Sequence, residues 1–167
     1  MLITDLLARN AELYGDEVCL IGVNPEVGEK REVTWREYEL METDPFEHSR
    51  REMTWRQFDR HANRFANLLL SRGIGKGDKV AILLMNCLEW LPIYFGILKT
   101  GAVAIPMNYR YTSEEIEYCL KLAQANALVF GPEFIGRVEA IVDRIPNVDP
   151  RIFVNGTCPT FAESYAQ

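Results

Sequence analysis

Several segments hold residue types that could do chemistry, and their spacing decides what each can do. Gly73-Ile74-Gly75-Lys76-Gly77 has the composition of a phosphate-binding loop. A phosphate cradle lies where a strand feeds a helix, because the free N–H groups and dipole of the helix start face the anion. Here the glycines follow a helical pattern and precede an apolar run, so the segment reads as a helix cap and turn. No GxxxxGK[ST] string and no GxSxG elbow occurs. His48 and His61 are the only histidines, and neither has a partner at zinc-ligand spacing, so no metal site is expected. His61 reads as a helix-surface residue. Glu114 and Glu115 are adjacent, so on a helix they point in different directions and do not form a carboxylate pair. No catalytic residue is assigned.

Two arginines remain. Arg110 lies between Tyr109 and Tyr111, after an expected strand and ahead of a helix start at Thr112. That is the carboxyl end of a parallel strand, where α/β folds place ligands, and an arginine there could hold a phosphate. A solvent-facing loop arginine is the other reading of the same position. Arg137 sits on a helix face and reads as solvated.

The elements that would position these residues are legible from periodicity. Residues 4–14 predict a helix capped by Thr4, with Leu6, Leu7, Leu13 and Tyr14 on its apolar side. Val18 to Val23 predicts a short strand, and 24–32 a loop around Pro25 and Gly28. Thr54-x-x-Gln57 is a capping box that opens a helix to Ser71, with Phe58, Ala62, Phe65, Ala66 and Leu69 at helical spacing. Gly73 supplies a left-handed position after it. Lys79 to Met85 predicts a strand buried on both faces. Asn86 then caps a central helix over 88–99, limited by Pro92 in its first turn and ended by Gly101. Trp55, Trp90, Tyr94 and Phe95 fall at expected core positions. Val103 to Pro106 predicts a second buried strand. Thr112-Ser113-Glu114-Glu115 caps a helix to about Ala125, with Ile116, Leu120 and Ala123 inward. Leu128 to Phe130 is a third strand, Pro132 starts a helix to about Asp143, Ile152 to Val154 is a fourth strand, and Thr160 caps a short terminal helix. Single helices between apolar strands imply an α/β fold, a parallel sheet with crossover helices.

The chain has 167 residues and a formal charge of −6, with 48% hydrophobic and 25% charged residues. That is globular composition, and a chain of this size buries about 68–70% of its unfolded surface. The acidic balance excludes the basic footprint of a nucleic-acid binder. No apolar h-region opens the chain, since Asp5, Arg9, Glu12, Asp16 and Glu17 interrupt it. Val80 to Leu98 carries only Glu89 as a charge, but Asn86, Glu89 and Pro92 break it, so it reads as strand, turn and buried helix rather than a membrane span. Cys19, Cys87, Cys119 and Cys158 are far apart with no CxxC pair, which points to reduced thiols and a cytoplasmic location.

One internal echo is present. Residues 31–39 resemble residues 51–59, and Thr34-x-x-Glu37 repeats the capping box. Pro45 would stop that first copy's helix. Two copies cannot build a stacked-repeat core, so a duplicated helix start or a small insertion is expected.

The ordered motifs resemble one family. Met53-Thr54-Trp55-Arg56-Gln57-Phe58 with Ala62-Asn63-Arg64 and Leu68-Leu69 is similar to the first core motif of AMP-forming acyl-CoA synthetases and related adenylate-forming enzymes. Gly73 to Ala81, Asn86-x-x-Glu89, and Leu98-Lys99-Thr100-Gly101-Ala102-Val103-Ala104-Ile105-Pro106 continue the resemblance in order. Tyr109 to Ile116 looks closest to the bacterial fatty or aromatic acyl-CoA ligase branch.

The resemblance implies a reaction in which a carboxylate attacks ATP to give an acyl-adenylate and pyrophosphate, after which the thiol of coenzyme A displaces AMP. It implies ATP, Mg and coenzyme A for the full-length parent, with a carboxylic acid as substrate. The family's lysine-containing phosphate loop has no match here. The chain is therefore expected to be the N-terminal portion of such a ligase, inactive alone and holding none of these groups tightly. Residues 1–50 are expected to form an N-terminal helix, strand and insertion-like segment. Residues 51–167 are expected to form an α/β subdomain ending before the phosphate loop. Arg110 is the one contact that carries over, as a coenzyme A phosphate ligand. The alternative is a non-enzymatic truncated homologue acting as a binding or split-enzyme module. Its unpaired sheet edge would accept the missing remainder of the enzyme, or a second copy in a homo-oligomer.

Overall fold

The computed structural model describes residues 2–23 and 50–165. The first copy of the echo, the 24–32 loop, Pro45 and His48 lie outside the described residues. The second copy spans a strand and the first turn of the longest helix.

Two helices and a hairpin open the chain. Helix α1 is Ile3–Leu13, strand β1 is Val18–Val23, strand β2 is Arg50–Thr54 and helix α2 is Trp55–Ser71. The first helix begins two residues before the expected Thr4 cap, because the Asp5 carboxylate accepts the Leu2 N–H at 2.8 Å. Only Leu7 of its apolar residues is buried. The start of α2 is as expected: Thr54 Oγ1 accepts from Gln57 N at 3.3 Å, and Gln57 Oε1 accepts from Thr54 N at 2.8 Å. Its five buried residues are the five expected from spacing. It ends in a Schellman motif, with Ile74 N donating to Leu69 O and Gly73 N to Leu70 O, both at 3.0 Å. Gly73 makes this possible at φ +78°.

A five-stranded parallel sheet follows. Its strands are β3 (Lys79–Leu83), β4 (Val103–Pro106), β5 (Ala127–Phe130), β6 (Arg151–Phe153) and β7 (Glu163–Ser164), in the order β4-β3-β5-β6-β7. Helices α3 (Trp90–Lys99), α4 (Ser113–Ala123) and α5 (Ile135–Glu139) link them. Side chains alternate across the sheet, as the two-residue strand period demands. Val80, Ile82, Ala127, Val129 and Ile152 pack with Phe65, Leu69, Ile93 and Ile97 of α2 and α3. Ala81, Leu83, Leu128, Phe130 and Phe153 pack with Ile116, Leu120 and Val138 of α4 and α5. A third cluster, Leu7, Met53, Phe58, Ala62 and Leu88, fixes α1 and the β1–β2 hairpin to the side of α2.

Five further expectations change. Strand β4 is an edge rather than a buried strand: it pairs only with β3 among the described residues, and Val103 is 50% exposed. Pro106 fits there, because an edge strand tolerates a missing donor. Helix α3 starts at Trp90 with Glu89, not Asn86, before it, and Pro92 sits in the first turn, where no N–H is needed. The helix expected from Pro132 to Asp143 is broken into 3₁₀ turns at Pro132–Phe134 and Val142–Arg144 around the short α5. No helix follows Thr160 among the described residues. Residues 163–164 instead pair with β6, whose outer edge was open, and Tyr165 N donates to Phe153 O at 2.9 Å. The aromatic residues Trp55, Trp90, Tyr94 and Phe95 are half-buried rather than core, joined by ring contacts such as Trp90–Tyr94 at 5.5 Å.

Candidate functional site

Parallel strands leave their ligand crevice at the carboxyl ends, where the strand order reverses. The order here reverses about β3: the chain steps from β3 to β4 on one side, then crosses to β5 on the other. The crevice therefore lies over the exits of β3 and β5, flanked by those of β4 and β6. Side chains crowd Gly131 there: a Cβ on it would stand 2.8 Å from Glu133 Oε2 and 3.3 Å from Leu84 Cδ2.

The β3 exit carries a polar cluster in which a mostly covered carboxylate meets two exposed partners. Glu89 is only 12% exposed and accepts from Arg51 Nη2 of β2 at 2.8 Å. Asn155 Nδ2, on the turn after β6, donates to its other oxygen at 3.4 Å. Burial alone would push the Glu89 carboxyl up. The hydrogen bonds from Arg51 and the backbone, the Arg51 charge, and the Asn155 bond outweigh it and hold the carboxyl below its usual range. Burial and the neighbouring Glu89 charge push the Cys87 thiol up to about 11. Burial, again with Glu89, pushes Tyr165 up to about 12. At neutral pH the cluster is thus one carboxylate, one guanidinium and neutral neighbours. His61 on α2 is half-buried near it, and burial together with Arg64 and Arg60 holds its imidazole toward the neutral form. It is not the plain surface residue its helix position suggested.

Glu89 therefore links the hairpin, the start of α3 and the exit of β6. Its depressed pKa places its stabilising contribution above the carboxylate's ordinary range, to be lost as pH falls through the folded value. Glu89→Gln is expected to cost about 1 kcal/mol at pH 7, with the difference from wild type closing as the pH drops well below 4.5. Urea unfolding across that pH range measures it.

The β4 exit carries Arg110. Its guanidinium is exposed, its Nε donates to Tyr109 Oη at 3.0 Å, and its centre lies 5.4 Å from the Tyr109 ring. No other side chain ties its two terminal amino groups among the described residues. The loop beneath it is held by Arg137, whose Nη1 donates to Tyr109 O at 2.8 Å and Tyr111 O at 3.0 Å while its guanidinium lies over the Phe134 ring. Arg137 is thus half-buried and structural, not solvated. Thr112 and Glu115 exchange capping bonds, which accounts for Glu115, while Glu114 lies exposed on the same first turn.

The glycine segment is confirmed as a turn. Gly75 N donates to Asp78 Oδ2 at 2.8 Å and Gly77 has φ +92°, all at the amino end of β3 and away from the crevice. Among the described residues no three His, Cys, Asp or Glu side chains could hold a metal ion. A cavity of about 380 Å³ opens at the amino ends of β6 and β7, but its arginines are occupied. Arg72 Nη2 lies 2.6 Å from Glu163, and Arg151 donates to the carbonyls of Val148 and Phe161.

The sequence reading missed the Glu89 cluster. Its signal was the Asn86-x-x-Glu89 pair, but the arginine that completes it lies 38 positions earlier.

The model of the AMP-binding enzyme family matches residues 7–163. The chain belongs to that family. Among curated AMP-binding relatives, a medium/long-chain-fatty-acid–CoA/3-oxocholest-4-en-26-oate–CoA ligase of Mycobacterium marinum is 37% identical over 90 residues, 54% of this chain and 16% of that protein. A crotonobetaine/carnitine–CoA ligase of Escherichia fergusonii is 43% identical over 76 residues, 46% of this chain and 15% of that protein. Among solved structures, the anthranilate CoA ligase AuaEII in complex with anthranoyl-AMP aligns with a TM-score of 0.77 and 26% identity, covering 97% of this chain and 26% of that one. Coronafacic acid ligase from Pectobacterium brasiliense shares the fold, with a TM-score of 0.78 at 15% identity, and 28% of that chain is covered. The matched portion is thus about a sixth of the curated relatives and about a quarter of the structural neighbours. Among the described residues no helix is long and apolar enough to cross a membrane.

Proposed function

We propose that this chain is the N-terminal portion of an AMP-forming acyl-CoA ligase, a scaffold that supplies part of the sheet and a coenzyme A contact but not the adenylating centre. The observation that carries the reading is the family match over 7–163, joined to relatives that include fatty-acid–CoA, crotonobetaine/carnitine–CoA and anthranilate CoA ligases. The reaction served would be activation of a carboxylic acid by ATP with Mg, then transfer to coenzyme A, in fatty acid or related acid metabolism.

Among the described residues no cluster of His, Cys, Asp or Glu offers Mg a ligand set, and the glycine turn lies at the amino end of β3, so the described residues fit neither ATP nor Mg. No step is assigned through them. A coenzyme A phosphate does fit Arg110, whose terminal amino groups are available on an exposed loop at a strand's carboxyl end. Arg137 would act there by holding the loop. Four unpaired cysteines agree with a reducing, cytoplasmic setting.

In the full-length enzyme, Arg110→Ala is expected to raise the KM for coenzyme A about tenfold, the size of one charge-assisted hydrogen bond, and to leave carboxylate-dependent ATP–pyrophosphate exchange unchanged. Equal loss in both would remove Arg110 from the coenzyme A site. For the isolated chain, titration with Mg·ATP followed by amide NMR should give no saturable shifts. Saturable shifts would place the nucleotide site within this chain.

A further inference from the structure

The loop between β4 and α4 is held from both sides. Met107 N donates to Ile82 O of β3 at 2.9 Å, and the side chains of Met107 and Tyr111 lie against the core beneath. Between them the chain turns on Asn108, whose Oδ1 accepts from Arg110 N at 3.0 Å and whose main-chain O accepts from Tyr111 N at 3.1 Å. The carbonyls of Tyr109 and Tyr111 belong to no strand or helix, and both accept from Arg137 Nη1. Arg137 is itself fixed, because its guanidinium lies 5.6 Å from the centre of the Phe134 ring and Phe134 is buried in the core. Tyr109 points outward, 45% exposed, and its Oη accepts from Arg110 Nε. Support thus runs from Phe134 to Arg137, to the Tyr109 main chain, to the Tyr109 hydroxyl and so to the Arg110 guanidinium. Stability does not account for the last step. Exposed contacts of a charged side chain contribute little, and ordering an arginine costs side-chain entropy. What the last step does is fix the direction of Nη1 and Nη2, which have no side-chain partner among the described residues. A guanidinium already ordered loses less freedom when it meets a phosphate.

We propose that Tyr109 is a positioning residue for coenzyme A binding: Arg137 fixes its main chain, and its hydroxyl fixes the guanidinium of Arg110. The inference rests on the functional reading above and deepens it, since part of the affinity then comes from two residues that do not touch the phosphate. Tyr109 acts through one atom. Phenylalanine in its place keeps the ring and removes only the acceptor for Nε, so Arg110 returns to sampling its other rotamers before it binds. Methionine in place of Arg137 keeps an apolar stem beside Phe134 and releases both carbonyls, so the turn that carries Tyr109 loosens. Lysine there keeps a donor for a carbonyl but not the planar group that lies over the Phe134 ring.

The test is steady-state kinetics of the full-length enzyme with coenzyme A varied. Tyr109→Phe is expected to raise the KM for coenzyme A about threefold, the size of ordering one long side chain on binding, with the change falling on KM rather than on kcat. In an Arg110→Ala background the same substitution should add nothing, because Tyr109 acts through Arg110. Arg137→Met should raise that KM by a similar factor and Arg137→Lys by less. Tyr118→Phe, on the exposed side of α4, should match the wild type. An unchanged KM in Tyr109→Phe or in Arg137→Met overturns the proposal. So does an effect of Tyr109→Phe that persists in full without Arg110, which would make Tyr109 a contact in its own right. Equal shifts in the KM values for ATP and coenzyme A, with a lowered melting temperature, would show a merely structural role and also overturn it. Should Arg137→Met fail to fold, Tyr109→Phe and Arg137→Lys decide the matter. Failure of the functional reading looks different: there Arg110→Ala itself leaves the KM for coenzyme A unchanged, and the proposal falls with it.

Discussion

Phe130→Ala is expected to lower the unfolding free energy by about 3–5 kcal/mol, the range for deleting a buried aromatic side chain. Phe130 is wholly buried at the carboxyl end of β5, the middle strand of the sheet. Its ring meets Phe153 edge-on at 5.4 Å and stacks on Phe161 at 5.9 Å. Three segments therefore lose their shared partner at once: β5, β6 and the loop before β7. The backbone there is pinned by the ladder, with Phe130 opposite Leu83 on one side and Phe153 on the other. The cavity cannot close by moving a strand, so the cost should lie toward the upper end. Urea unfolding measures it, with Tyr118→Ala as a surface control expected within about 0.5 kcal/mol of wild type. A Phe130→Ala loss below about 1 kcal/mol would contradict this view of the core.

Gly96→Val is expected to cost about 2–3 kcal/mol for the opposite reason, crowding instead of a void. Gly96 is where α3 crosses α2. A Cβ there would lie 2.9 Å from Ala62 O and Phe65 Cδ1 and 3.0 Å from Phe65 Cβ. Ala62 O is main chain inside a helix and cannot rotate away, so the helices must separate. Separation loosens Phe65, Ile93 and Ile97, which pack on the same side of the sheet. Gly136, by contrast, has open space around the same position. Gly136→Ala should be neutral or slightly stabilising, since alanine favours the helix by up to about 1 kcal/mol. Thermal unfolding of the two variants separates crowding from propensity.

What could be read from the sequence was what short-range physics decides. The Thr54 and Thr112 boxes involve residues three apart, and both formed as read. The five inward residues of α2 follow from helical period alone. The run Val80 to Leu83 announced a strand covered on both sides, and all four residues are buried. Several of the errors fall where long-range pairing decides. Val103 to Pro106 has the same composition as a central strand, but its place at the edge depends on which strand lies beside it. Residues 163–164 became a strand only because β6 had an open edge next to them. Arg137 reaches Tyr109 and Tyr111 across 28 and 26 positions, and Arg51 reaches Glu89 across 38. Nothing in their local sequence marks either as a clamp. Arg110 was placed correctly at a strand's carboxyl end, because that follows from strand–loop–helix order, but its bond to Tyr109 Oη came only with the fold.

The central claim is the one proposed above, that these residues form a scaffold of a ligase and that adenylation requires more chain than this. Carboxylate-dependent exchange of labelled pyrophosphate into ATP by the isolated chain tests it most directly, using a panel of medium- and long-chain fatty acids and aromatic acids. Exchange at the level of the protein-free blank is the predicted result. Exchange that scales with the concentration of the chain and requires the carboxylate would contradict it.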